Sequence, residues 1–209
     1  FSKNKLPTTI RKFYRNFSEN LVLTNYETAE LSKLAINLYL SSMVSTTNTI
    51  NELAIKLNAN WSDLKDILKL DRRIGKYAYL NPGLGLSGGN LERDHINFIN
   101  LSKRYKTNSS VINSYLVNSN YHKIIFLKKI LKEVPVNYKI LIYGLTYKEN
   151  THSIKNSISL DIIEKFYTKN NIFFYDKNLS NLKNEKILKI KFFDFNKKVV
   201  EKIQYIIFL

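Results

Sequence analysis

The chain has 209 residues, with 33 Lys plus Arg against 17 Asp plus Glu, and a formal net charge of +16. Apolar residues make up 44% and aromatics 13%, which is a globular composition rather than a disordered one. Cysteine is absent, which excludes disulfides, thiolate metal sites and a cysteine nucleophile.

There is no apolar run of about 18 residues, so no membrane-spanning helix is expected. The opening Phe1-Ser2-Lys3-Asn4-Lys5 lacks the apolar core of a signal peptide. The charge does not read as a nucleic-acid face. Of the basic residues 27 are Lys, and they are spread evenly: residues 1–120 carry 16 basic and 9 acidic, residues 121–209 carry 17 and 8. A nucleic-acid surface concentrates its charge and interleaves Arg or aromatics. A solvated Lys-rich surface is the expectation, with no nucleic-acid partner.

In chain order, Thr8 to Phe17 reads as a short basic helix. Thr24-Asn25-Tyr26-Glu27 has the form of a capping box, Thr at the cap and Glu three residues on. Leu31, Leu34, Ala35, Leu38, Val44, Ile50, Leu53, Ala54 and Leu57 then recur at helical spacing. Their run predicts one helix over roughly 28–58, far longer than the usual length of about 12 residues. Trp61 to Leu70 follows as a short helix capped near Asn60. Residues 71–91 break the pattern and hold Pro82 with Gly75, Gly83, Gly85, Gly88 and Gly89. Helices are expected again over Glu92 to Arg104 and Asn108 to Glu133, and Pro135 ends the second.

The period then changes. Lys139 to Gly144 is a short apolar run ending in Gly, as a buried parallel strand is. Ser157 to Lys169 is amphipathic. Asn171 to Asp176 reads as a second strand, Lys186 to Phe195 as holding a third, Asn196 to Ile203 as a helix, and Tyr205 to Leu209 as a fourth strand. Alternating strands and helices imply a parallel sheet. The expected fold class is therefore a long-helix α block followed by a small Rossmann-like α/β unit, with the boundary near Pro135.

Single motifs are weak. Gly83-Leu84-Gly85-Leu86-Ser87-Gly88 matches G-x-G-x-x-G, but the dinucleotide fingerprint needs a strand before it. Here a helical segment precedes it, so a tight glycine turn is the simpler reading. His95, His122 and His152 have no ligand spacing, and no metal site is expected. Lys33 and Asn37 share a helix face at i and i+4.

Three segments in register say more. Thr28-Ala29-Glu30-Leu31-Ser32-Lys33-Leu34-Ala35-Ile36-Asn37 continues to Ile50-Asn51-Glu52. Arg73-Ile74-Gly75 is followed by Pro82-Gly83-Leu84-Gly85-Leu86-Ser87-Gly88-Gly89-Asn90-Leu91-Glu92-Arg93-Asp94. Tyr143-Gly144-Leu145-Thr146-Tyr147-Lys148-Glu149-Asn150-Thr151 precedes Asn156-Ser157. Over roughly residues 20–209 this order resembles the UDP-glucose/GDP-mannose dehydrogenase family. The resemblance implies NAD as cofactor, a UDP-sugar or related nucleotide sugar as substrate, and a cytoplasmic enzyme making precursors of surface polysaccharide. It implies a homodimer through helix 28–58 and no membrane association.

It also implies a division of the chain. Residues 1–23 are expected to be the remnant of an NAD-binding domain, 24–134 a central dimerisation domain and 135–209 a shortened nucleotide-sugar domain. By this reading the chain is a piece of a longer enzyme, inactive alone, its NAD site mostly elsewhere. Lys33 and Asn37 match residues that support an oxyanion. Asp94 matches a base or water positioner. Arg73, Gly85 and Lys148 match substrate contacts, and Lys155 stands where the family has an arginine near NAD. Asn90 stands in place of the family's nucleophilic cysteine. Because an amide nitrogen is not a nucleophile, the covalent route to a uronic acid is closed to it. An inactive remnant, or a dimerising nucleotide-sugar-binding scaffold, is the alternative.

Overall fold

A computed structural model describes residues 6–166, 168, 170–182, 191–192 and 202–209. Helix α1 (Thr8–Arg15) is amphipathic and basic but buries none of its residues. Helix α2 (Tyr26–Lys56) runs for 31 residues. Its cap is Asn25, not Thr24: the Asn25 side chain accepts the Thr28 N–H at 3.0 Å. No glycine marks its other end. Asn58 takes the left-handed conformation at φ 54°, and the Ala59 N–H reaches back to the Ala54 carbonyl at 2.8 Å. Helix α3 (Trp61–Leu70) is capped by Asn60, as expected.

Two further helices complete the block, α4 (Gly89–Arg104) and α5 (Ser110–Glu133). Helix α4 starts three residues before the expected Glu92, so Asn90 lies inside it rather than on a loop. Helix α2 packs on both α4 and α5. The buried face of α2 differs from the apolar stripe that its sequence suggests. Leu38 and Ala54 are buried, but so are Asn37, Ser41, Ser45, Thr47 and Asn48, whereas Leu31, Ile50, Leu53 and Leu57 are exposed. Small polar side chains let the helix approach its neighbours closely, and Asn37, Thr47 and Asn48 hydrogen-bond beyond the helix itself. Ile50 and Leu53 fall on the opposite side from Asn37.

The second unit is a four-stranded parallel sheet of β1 (Lys139–Tyr143), β2 (Asn171–Tyr175), β3 (Lys191–Phe192) and β4 (Tyr205–Phe208), in the order β3-β2-β1-β4. Central β1 is buried at Ile140, Leu141 and Ile142, as expected of a strand covered on both faces. Ile142 faces Phe174 on β2 and Ile207 on β4 across the ladders. Helix α6 (Ile158–Phe166) crosses from β1 to β2 and buries Ile162, Ile163 and Phe166 on the sheet. The expected third strand survives as Lys191–Phe192; the rest of 186–195, and residues 196–201 of the expected helix, lie outside the described residues.

The two units share one core. Ile130 and Val134, at the end of α5, pack into the same apolar cluster as Ile140, Ile142 and Phe174. Leu84, from the glycine-rich segment, packs against that cluster as well. Removing a buried branched side chain here leaves a cavity, so Ile142→Ala should lower stability by about 3 kcal/mol. Ile206→Ala, at a half-exposed position of β4, should cost less than about 0.5 kcal/mol. Urea melts of the two variants beside the wild type check both values.

Candidate active site

A cleft of about 470 Å³ opens where α2, the start of α4 and the loop after β1 meet. Lys33, Asn37, Leu40 and Val44 of α2 form one wall. The segment Gly83–Gly88 with Asn90 and Leu91 forms the floor, and Tyr147 with Lys148 closes the far side. The cleft therefore sits beyond the carboxyl end of β1, where open parallel sheets bind ligands.

One carboxylate organises the near wall. Asp94, on the second turn of α4, is only 3% exposed. Its Oδ2 accepts from Asn37 Nδ2 at 2.5 Å and lies 3.9 Å from Lys33 Nζ. Its Oδ1 accepts from Arg93 Nε at 3.1 Å and Nη2 at 3.0 Å. Burial pushes the Asp94 carboxyl up, but the hydrogen bonds from Arg93 and Asn37 and the charges of Arg93 and Lys33 outweigh it and leave it below the usual carboxylate value. Asn37 must turn its NH₂ toward Asp94, since an ionised carboxylate only accepts. The i, i+4 pair on α2 thus meets the acid of α4 across 57 residues of sequence.

The floor is held by its backbone. Asn48 Oδ1, on α2, accepts the Gly83 N–H at 2.8 Å, and Ser119 Oγ, on α5, accepts the Leu86 N–H at 2.7 Å. Gly85 has φ +104°, and a Cβ there would stand 2.7 Å from Ser119 Oγ and 2.8 Å from its carbonyl oxygen. Gly88 has φ +80°, and a Cβ there would run into the Tyr147 ring at 2.6 Å. Glycine at both positions is set by close approach as well as by backbone angle. Ser87 Oγ donates to the Tyr147 carbonyl at 3.4 Å, and Asn156 Nδ2 donates to Glu92 Oε2.

The opposite wall rests on Asp176, just past β2. Its Oδ2 accepts the N–H groups of Leu145 and Thr146, both at 2.8 Å, and its Oδ1 accepts that of Asn178 at 2.8 Å. Burial raises the Asp176 carboxyl, and these backbone donors more than reverse the effect, so it too is held low. Asp176 thereby fixes the turn that presents Tyr147 and Lys148.

Most sequence-derived candidates converge on this cleft. Lys33, Asn37, Gly85, Asn90 and Lys148 line it, and Asp94 stands directly behind Asn37. Arg73 does not reach it. That side chain is 90% exposed, forms a two-point pair with Asp71, and borders a separate hollow with Trp61 and Ile74. Lys155 packs its stem over Gly89 at the first turn of α4, outside the cleft lining. The sequence reading passed over Asn48, Ser119 and Tyr147. The signal for the first was present in α2, where Asn37, Ser41, Ser45 and Asn48 recur at helical spacing as the buried polar face. Nothing in the local sequence marks Ser119.

The glycine segment lacks the setting of a dinucleotide fingerprint. The glycine segment opens a helix but follows no strand, and its backbone is already packed against Ser119 and Tyr147. No cluster of three His, Cys, Asp or Glu side chains is arranged to hold a metal among the described residues. No helix among them is long and apolar enough to cross a membrane.

Two family models match the chain over well more than half its length. Residues 27–120 match the central domain of the UDP-glucose/GDP-mannose dehydrogenase family, and residues 141–209 match its UDP binding domain. The chain belongs to the UDP-glucose/GDP-mannose dehydrogenase family. It is 32% identical over 145 residues to a UDP-glucose 6-dehydrogenase of Rickettsia typhi, covering 68% of this chain and 33% of that one. It is 32% identical over 165 residues to the UDP-glucose 6-dehydrogenase of Campylobacter jejuni, covering 78% and 38%. In fold it is similar to a UDP-glucose dehydrogenase from Pyrobaculum islandicum, with a TM-score of 0.78 at 18% identity, covering 96% of this chain and 47% of that chain. The chain thus spans about a third to a half of the relatives it matches.

Acid should weaken the molecule through its two held carboxylates. A group with a depressed folded value contributes stability that is complete above the ordinary 3.8 and is lost as pH falls from there through the folded value. Asp94→Asn, which cannot accept from all three donors as an anion does, should lose about 2 kcal/mol at neutral pH. Its stability should also fall less steeply below pH 3.8 than that of the wild type. Urea midpoints measured from pH 7 down to pH 3 test both.

Proposed function

We propose that this chain is the nucleotide-sugar-binding portion of an NAD-dependent nucleotide-sugar dehydrogenase of the UDP-glucose 6-dehydrogenase type. The observation that carries this reading is one cleft lined by Lys33 and Asn37, a backbone-pinned glycine floor, and Tyr147 with Lys148. Residues 24–134 act as the central domain and 135–209 as the nucleotide-sugar domain.

The chemistry of the side chains supports the roles. The Lys33 ammonium and the second amide hydrogen of Asn37 are donors beside the cleft, suited to an oxygen that gains negative charge as an alcohol is oxidised. Lys148 supplies a cation for a diphosphate, and the Tyr147 ring, with Lys148 Nζ 5.6 Å from its centroid, gives a flat apolar face beside it. NAD is the oxidant that the family uses. The described residues bind, orient and polarise the sugar nucleotide, and Lys155, beside the first turn of α4, lies toward the NAD. Arg73, remote from the cleft of its own chain, acts across a dimer.

The exposed apolar face of α2 supports that dimer. Tyr39 and Leu53, two heptads apart on the side away from Asn37, lie largely in the open, and covering such a face between two copies is a common use of it. The setting is cytoplasmic, and the product feeds surface polysaccharide synthesis. A second reading, a binding scaffold without turnover, is favoured by one observation. Asn90 occupies the first turn of α4, where the helix dipole activates a thiol but does nothing for an amide.

Titration calorimetry with UDP-glucose, UDP and GDP-mannose tests the proposal. UDP-glucose and UDP should bind, and Lys148→Ala should weaken both by about tenfold, the worth of one charge-assisted contact. The same samples should run as a dimer on a sizing column. Absence of binding to any of the three ligands contradicts the reading. Binding without NADH formation, after NAD and the remaining part of a full-length relative are supplied, favours the scaffold.

A further inference from the structure

Asp94 has four directions in which it can accept, and three of them are taken by hydrogen bonds. Arg93 takes two of them, placing Nε and Nη2 on Oδ1 at 3.1 and 3.0 Å. Asn37 takes Oδ2 at 2.5 Å, and Lys33 Nζ is the next donor, 3.9 Å from the same oxygen. The Arg93 side chain is 60% exposed, so the guanidinium reaches inward from the rim to a carboxylate that is buried. Among the described residues, Arg93 on α4 and Lys33 on α2 are the charged groups at ion-pair distance from Asp94. The neighbouring His95 turns away, with Nδ1 at 2.7 Å from the Leu91 carbonyl and its ring edge-on to Tyr115 of α5.

The two oxygens differ in what they face. Here Oδ1 faces a guanidinium that does not give up its proton. Oδ2 faces an amide and an ammonium.

We propose that Arg93 is a positioning residue: by occupying Oδ1 from two directions it aims Oδ2 at Asn37 and Lys33 and makes Asp94 a fixed anionic anchor of the cleft. The inference rests on the cleft being a nucleotide-sugar site, but its test does not depend on ligand or turnover. Two guanidinium N–H groups converging on one oxygen saturate Oδ1 from a fixed direction, which a flexible lysine ammonium at the same place does less well.

Carbon-13 NMR of aspartate-labelled full chain follows the Asp94 carboxyl through a pH titration in wild type, Arg93→Lys and Arg93→Met, with the signal assigned by Asp94→Asn. In Arg93→Met the titration should move up toward the ordinary carboxylate range, and in Arg93→Lys it should move part of the way. The Asn37 side-chain amide signals should shift in Arg93→Met and be partly restored in Arg93→Lys. An Asp94 titration and Asn37 signals unchanged in folded Arg93→Met overturn the proposal. If Arg93→Met does not fold, Arg93→Lys decides alone: wild-type titration with wild-type Asn37 signals overturns it, and displacement of both supports it. Calorimetric binding of UDP-glucose is measured separately, so a failed cleft reading shows as lost binding with the titration result intact.

Discussion

A buried carboxylate that must remain an anion is the constraint around which this structure is arranged. Asp94 is almost out of water, and an unpaired charge there would cost several kcal/mol. It is tolerated because three donors from two helices converge on it. That convergence ties α2 to α4 and decides which face of α2 turns inward. Once Asn37 points at Asp94, the positions one turn and two turns on, Ser41 and Ser45, follow it into the interior. Asn48 then lands beneath the glycine segment and captures the Gly83 N–H.

The same logic extends to the sheet. The floor of the cleft has few side chains of its own, so it is fixed through backbone donors to Asn48 and Ser119 and through contact with Tyr147. Tyr147 is fixed in turn because Asp176 gathers the N–H groups of Leu145 and Thr146. Two acidic residues, one per unit, therefore present the two walls of one cleft. Leu84 and the end of α5, packed into the sheet's apolar cluster, join the two walls through one core.

Much of this was legible in the sequence, for reasons that differ from place to place. The order of helices and parallel strands follows from periodicity: Ile140, Leu141 and Ile142 read as a fully covered strand and are one. Lys33, Asn37 and Asp94 were found by resemblance, and their meeting depends on tertiary packing that no local spacing reveals. The inward face of α2 was misread because hydrophobic periodicity assumes that buried means apolar. This helix buries Ser and Asn and leaves Leu53 and Leu57 outside. The cap moved from Thr24 to Asn25 because both residue types cap well and only the backbone angles choose between them. Arg73 was expected at the substrate, and within its own chain it pairs with Asp71 on a turn beyond α3.

Among all these elements, the claim with the widest reach is that the nucleotide sugar lies between the two walls. Amide chemical-shift mapping with UDP-glucose on the isotopically labelled chain addresses it directly. The account predicts perturbations clustered at Gly83–Leu91, Tyr147 and Lys148, with the Asn37 side-chain amide moving as the sugar end arrives. Perturbations gathered instead around Arg73, Trp61 and Ile74, or a spectrum unmoved by saturating ligand, would contradict it.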